Sequence, residues 1–177
     1  PGDVGALVTD AGANSVLFVA PDGSITTLTT FPGRDIGGGF PSDAVPTGPA
    51  MGPDGRAYVG QLTGFPFTGG QAQIYRVEED GSQSVYATGF TMVTDITFDD
   101  AGNLYVLEYD SNGLLAPGTT GGLWKVDTLG NKSLIFSAGL EGATGLAIGP
   151  DGAFYVSNHG TGAGAGEVLR IAPVPEP

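Results

Sequence analysis

The 177-residue chain has no cysteine, one histidine, six basic side chains and no long apolar run. Without cysteine there are no disulfides, zinc knuckles or thiol chemistry, and stability rests on packing and backbone pairing. Six Lys and Arg against 19 Asp and Glu give a formal charge of −13, which repels phosphate backbones and anionic membrane surfaces, so nucleic acid is excluded as a partner. No stretch approaches the roughly 20 apolar residues that cross a bilayer, so no membrane span is expected. Pro1-Gly2-Asp3 is not the basic start of a signal peptide, and the chain reads as mature or trimmed. Glycine is abundant instead: 32 glycines and 13 prolines interrupt the chain too often for a helical bundle. The length and the 40% apolar content suit one domain.

One unit recurs three times: Gly52-Pro53-Asp54-Gly55-Arg56-Ala57-Tyr58-Val59, Asp99-Asp100-Ala101-Gly102-Asn103-Leu104-Tyr105-Val106 and Gly149-Pro150-Asp151-Gly152-Ala153-Phe154-Tyr155-Val156. The aspartates at 54, 100 and 151 are 46 and 51 residues apart, a period that fits a four-stranded propeller blade. Each Asp-Gly-type pair predicts a tight two-residue hairpin turn. A third strand follows as Gln73 to Val77, Gly122 to Val126 and Glu167 to Ile171, and more loosely as Ser15 to Val19. With strands named a to d in each repeat, the expected count is three, four, four and three. The fold class is thus all-β, a β-propeller with about four four-stranded antiparallel repeats (4–33, 45–90, 92–140 and 143–172), incomplete at both ends, and a tail at 173–177; the blades resemble those of NHL and SMP-30 proteins.

The b-to-c connections (63–70, 111–122 and 160–166) are glycine-rich and variable, so one rim of the array carries the diversity, as binding loops or as tolerated surface insertions. The linker 32–46 is expected to be irregular and mobile. After the b-strand valines come Asp10, Gln61, Glu108 and Asn158, while strand a opens with Thr47, Thr94-Asp95 and Thr144, which would set Asp95 beside Glu108 near a central channel. The candidate binding residues are therefore Asp10, Gln61, Asp95, Glu108, Asn158 and His159. Asp95, Glu108 and Asn158 are the candidate ligands for calcium, a hard cation suited to oxygen donors. The competing and stronger reading is that these groups satisfy exposed backbone of neighbouring blades. Asp54, Asp100 and Asp151 are turn formers first. His159 reads as a solvent-facing histidine; with no Gly-x-Ser-x-Gly setting and no second histidine, no catalytic residue is assigned. Tyr75, Trp124 and Leu169 share one strand-c slot and are expected to pack between blades.

The run Tyr58 to Phe67 followed by Ile74-Tyr75-Arg76-Val77 resembles the ScyD/ScyE family of scytonemin-cluster propeller proteins, as do Asp95 to Asp99, Leu104 to Glu108 and Asn158 to Ile171. The resemblance spans most of residues 45 to 171 and matches the C-terminal part of longer members. It implies a secreted or envelope protein and supplies no catalytic residues. The terminal Val174-Pro175-Glu176-Pro177 is similar to the sorting motif of PEP-CTERM proteins, which implies processing after export. The leading expectation is a secreted, non-catalytic scaffold or binding protein, extracellular or at the cell surface, that self-assembles head to tail through unsaturated blade edges into filaments or matrix. Its partners would be further copies, extracellular polysaccharide or a small molecule. The alternatives are a calcium-dependent hydrolase or lactonase-like propeller, and a monomeric ligand-binding propeller that uses the 63–70 and 111–122 loops.

Overall fold

The computed structural model describes residues 5–37 and 39–172, and every regular element among them is a β-strand. The terminal motif at 173–177 and the start of the first repeat at Val4 lie outside the described residues. Sheet one holds β1 (Ala6–Asp10), β2 (Ser15–Val19) and β3 (Ile25–Thr30). Sheet two holds β4 (Pro46–Met51), β5 (Ala57–Gln61), β6 (Ala72–Val77) and β7 (Gln83–Phe90). Sheet three holds β8 (Val93–Phe98), β9 (Leu104–Glu108), β10 (Gly122–Val126) and β11 (Lys132–Phe136). Sheet four holds β12 (Gly145–Ile148), β13 (Phe154–Asn158) and β14 (Glu167–Ile171). All neighbours are antiparallel and sequential, and the three-four-four-three count is the one expected from the repeats. Among the described residues sheet one begins with a b strand, and sheet four stops at a c strand.

Alternation along the strands sends side chains to both faces of each sheet, and the sheets stack on three apolar seams. Leu7, Val16, Ala57, Val59 and Val77 meet at the first, Tyr58, Ile74, Phe90, Leu104 and Val106 at the second, and Tyr105, Leu107, Leu123, Phe154 and Val156 at the third. Hydroxyls stitch the inner strands together. Thr47 Oγ1 donates to Val93 O at 2.7 Å, and one repeat later Thr94 Oγ1 donates to Ala143 O at 3.0 Å.

The a–b and c–d turns lie on one rim, the hairpin face. All six follow one pattern: the first N–H donates to the carbonyl four residues on, and the fourth N–H returns to the first carbonyl. These are three-residue loops closed by a bulge, not the two-residue turns expected, because the fourth position needs a left-handed backbone. Gly23, Gly55, Gly81, Gly102, Gly130 and Gly152 fill it, at φ between 72° and 86°. Asp22, Asp54, Asp80 and Asp151 precede that glycine and accept the next backbone N–H. Sheet three solves both of its turns otherwise: Asp99 and Asp127 open the turn and bind the side chain and backbone N–H of Asn103 and Asn131 at 2.8 Å. Asp99, rather than Asp100, is therefore the turn carboxylate of that repeat.

The turn carboxylates also anchor the repeated tyrosine. Tyr58, Tyr105 and Tyr155 donate to Asp54, Asp99 and Asp151, and Arg76 and Arg170 from strand c share the Asp54 and Asp151 oxygens. Gly52 permits this approach, since a Cβ there would lie 2.2 Å from the Tyr58 ring. The described linker residues, 32–37 and 39–46, are more ordered than expected: Arg34 and Ser42 exchange both backbone hydrogen bonds at 3.0 Å, Ile36 and Ala44 are buried, and Arg34 grips Gln71.

Candidate functional site

The b–c and d–a connections form the opposite rim, the loop face. Asp10, Gln61, Glu108 and Asn158 are the last residues of β1, β5, β9 and β13, so the repeat places all four equivalently at the base of this face. Their side chains do not converge on a common point. The Glu108 carboxylate, 1% exposed, accepts from Thr91 N at 2.7 Å, Ser111 Oγ at 2.5 Å and Trp124 Nε1 at 2.8 Å. Asn158, also 1% exposed, accepts from Glu141 N at 2.8 Å and donates to Gly139 O and Glu167 Oε1. Thr91 and Glu141 sit in the links leading into β8 and β12, so both side chains clamp the chain as it crosses from one sheet to the next. Asp10 accepts from Ala13 N within its own loop. Gln61 is buried, and its Oε1 has no hydrogen-bond partner, as is also true of Thr63 Oγ1 and Ser42 Oγ.

Asp95 lies opposite Leu107, next to Glu108 in register, but its carboxylate turns across the seam. It accepts from Ile96 N at 2.9 Å and from Leu146 N of β12 at 2.8 Å, and Gly48 of β4 packs so closely that a Cβ there would meet Asp95 Cα at 2.5 Å. Asp95 thus hydrogen-bonds β8 to β12 and packs closely against β4. Burial raises its pKa above the usual carboxylate value, and the Leu146 and Ile96 N–H groups oppose that shift only in part. The expected ligand set is spent on N–H and O–H donors: Asp95, Glu108 and Asn158 share no partner. Among the described residues no group of three or more His, Asp or Glu is placed to hold a metal.

His159 stands between two glutamates, Nδ1 3.8 Å from Glu141 and Nε2 3.5 Å from Glu167, and its backbone is left-handed at φ 53°. The sequence did not single out the two glutamates: Glu141 lies outside the repeated motifs, and Glu167 opens a repeated strand whose other copies there, Gln73 and Gly122, carry no carboxylate. Trp124, expected only to pack, also donates to Glu108, and Lys132 Nζ sits 4.0 Å from its ring centroid and 3.9 Å from that of Phe90, with a bond to Gly89 O. Burial lowers the Lys132 pKa, and the Glu108 charge opposes the shift. On the 63–70 loop, Phe65 stacks on Phe40 and meets Phe67 edge-on, with Phe40 and Phe65 exposed. Tyr75 packs against Phe31 at the first seam. Among the described residues the rim thus carries the exposed Phe40 and Phe65 rings and the Glu141, His159 and Glu167 side chains, while Glu108 and Asn158 are buried and committed to their own hydrogen bonds.

No family model matches the sequence, and no curated protein matches it. Solved structures do share the fold. A gluconolactonase from Xanthomonas campestris superposes with a TM-score of 0.73 at 18% identity, covering 97% of this chain and 55% of that one. A candidate gluconolactonase gives 0.68 at 14% identity, covering 98% and 57%, and a luciferin-regenerating enzyme gives 0.56 at 16%, covering 96% and 57%. The chain spans little more than half the length of these proteins, and its four antiparallel sheets are of their β-propeller type.

Proposed function

We propose that the chain is a non-catalytic, extracellular or cell-surface scaffold of the β-propeller type, whose end sheets associate head to tail with further copies. The observation that carries this reading is a break in the repeat. Tyr58 and Tyr105 are 4% and 7% exposed because the next sheet covers them, whereas Tyr155, the third copy, is only half-buried. Thr47 and Thr94 stitch to the following inner strand, whereas Thr144 is exposed. Val168 beside Tyr155 is 70% exposed, and at the other end Val8 of β1 is exposed as well. Among the described residues, positions that internal sheets bury against their neighbours are thus exposed on both end sheets, in complementary halves, which supports a heterologous interface. The resemblance to ScyD/ScyE proteins and the PEP-CTERM-like terminus support a location outside the cell, with polysaccharide or a small molecule taken by the loop face.

Sedimentation velocity and light scattering over a concentration series test the assembly. The wild type is expected to lengthen with concentration, Val8→Glu and Val168→Lys to stop at monomers when alone, and an equimolar mixture of the two to stop at dimers. A monodisperse wild-type monomer at the highest soluble concentration overturns the proposal.

A second reading, a calcium-dependent lactonase-like propeller, draws support from the fold shared with the gluconolactonase. It requires Asp95, Glu108 and Asn158 to exchange their present hydrogen bonds for an ion. Calcium-dependent hydrolysis of a lactone, together with a melting temperature that falls on chelation, would favour it over the scaffold.

A further inference from the structure

The three seams hold equivalent positions filled with different side chains. The residue before the repeated b-strand tyrosine is Ala57, Leu104 or Phe154, and the tyrosine position itself is Leu7, Tyr58 or Tyr105. The bulged residue of the outer strand is Leu28, Tyr86 or Ile135, which falls in each case at the register shift between strands c and d. The end of the next inner strand contributes Met51, Phe98 or Ile148. The second seam therefore packs three rings, with Tyr58 4.9 Å from Tyr86 and 4.8 Å from Phe98, and the third packs Tyr105 4.7 Å from Phe154. The first seam has Leu7, Leu28, Met51 and Ala57 at these four positions, and no ring among them.

The space those rings fill elsewhere is open here. A cavity of about 850 Å³ runs between sheets one and two on the hairpin face, lined by Leu7, Phe18, Leu28, Met51, Ala57 and Val77. Met51 is 57% exposed in its mouth. Phe18 stands where the other sheets carry Arg76, Lys125 and Arg170, so the polar partner of the tyrosine has gone together with the tyrosine. The volume lies within the range of small-molecule sites, which are mostly apolar with few polar groups. The rim carries Arg56, already held by Glu78 at 3.0 Å and Glu79 at 2.5 Å, leaving one more carboxylate than cations and disfavouring an anion.

We propose that this crevice is a binding site for an uncharged aromatic ring compound, which takes the seat that tyrosine and phenylalanine rings occupy in the other two seams. The site is remote from the loop face and does not depend on the association of the end sheets. The test is a fluorescence titration of the whole chain with the neutral probe N-phenyl-1-naphthylamine, alongside the anionic 1-anilinonaphthalene-8-sulfonate. Saturable one-site binding of the neutral probe is expected, with weaker binding of the sulfonate. Restoring the rings in Leu7→Tyr/Met51→Phe is expected to weaken the neutral probe by at least about tenfold without lowering the melting temperature. Leu28→Tyr fills the crevice independently from the outer strand and is expected to act in the same direction. Failure of the neutral probe to saturate, unchanged affinity in both filled variants, or equal affinity for the two probes each overturns the proposal.

Discussion

The two rims of the array are built from the same strands and solve opposite problems. On the hairpin face every left-handed backbone position of the six turns is glycine, and every turn is locked by an aspartate. On the loop face six residues with side chains, Asn14, Val45, Thr63, Phe67, Met92 and His159, hold left-handed backbone, and Glu108 and Asn158, which brace its links, are buried. Val45 and Met92 are the same repeat position, two residues before Thr47 and Thr94, where sheet four has Gly142 at φ 60° before Thr144. A β-branched residue in that region is strained, and surrounding contacts must hold it. The hairpin face is thus held mainly by the chemistry of its own turns, whereas the loop face depends on distant partners such as Glu108 and Asn158. Regions held in this second way are where recognition surfaces are commonly placed.

The strongest attack on this contrast is Glu108→Leu. It orphans the Thr91 N–H, the Trp124 indole and the Ser111 hydroxyl in a buried setting, with an expected loss of about 3 kcal/mol or more in urea unfolding. Glu108→Gln keeps an acceptor and should lose less than half of that. If the two variants unfold alike, the carboxylate is not the brace.

Next in size is a pair that should differ in sign. A Cβ at Gly55 would have open space around it, with nothing within 4 Å, so Gly55→Ala meets no clash, and its expected loss of about 1–2 kcal/mol is conformational. Val45→Asn replaces a strained residue with one that tolerates left-handed backbone, and it keeps the Val45 N–H bond to Asn14 Oδ1. It should be neutral or stabilising, by up to about 1 kcal/mol. Equal losses in both would erase the distinction between the faces.

Acid separates the rims by direction. For Asp99, burial raises the pKa, but the Asn103 side chain, backbone N–H groups and the Tyr105 hydroxyl outweigh it and leave the value lowered. Its stabilisation is therefore present above the unfolded carboxylate value, about 3.9, and is lost as pH falls through the lower folded value. Asp127 and Asp151 are lowered too, by Asn131 and by Arg170 first. Asp95 is raised by its burial, so its contribution is greatest below the unfolded value and is lost as pH rises through the folded one. In melting curves taken from about pH 2 to 7, Asp99→Asn should flatten the acid limb alone, and Asp95→Asn the limb above about pH 4.

The hairpin face was legible because its chemistry is local. Asp-Gly and Gly-Asn pairs sit beside the strands they join, and the period they mark yields the sheet count. The b-strand ends were legible as a set, since four equivalent residues carry side-chain oxygens. What each one binds was not, because Thr91, Glu141 and Leu146 are brought in by the register between sheets rather than by any motif. The three-residue turn escaped because Asp22, Asp54, Asp80 and Asp151 precede a glycine just as in a two-residue hairpin, and only the hydrogen-bond closure distinguishes them.

The smallest effect expected is at the outer edge of the hairpin face. Glu79 is mostly exposed where it meets Arg56, and such pairs contribute about 0–1 kcal/mol because solvent screens them and ordering two long side chains offsets the attraction. Arg76 is better placed: it bridges Asp54 of one turn and Glu78 of the next, so it ties the a–b turn to the c–d turn of sheet two. Glu79→Gln should leave the urea midpoint within error, whereas Arg76→Gln should lower it by a small, salt-sensitive amount while leaving Tyr58 bonded to Asp54. If Arg76→Gln were silent at low salt as well, the turns of the hairpin face would be independent units, each closed by its own aspartate and glycine, and the arginine would serve only to cover the apolar seam behind it.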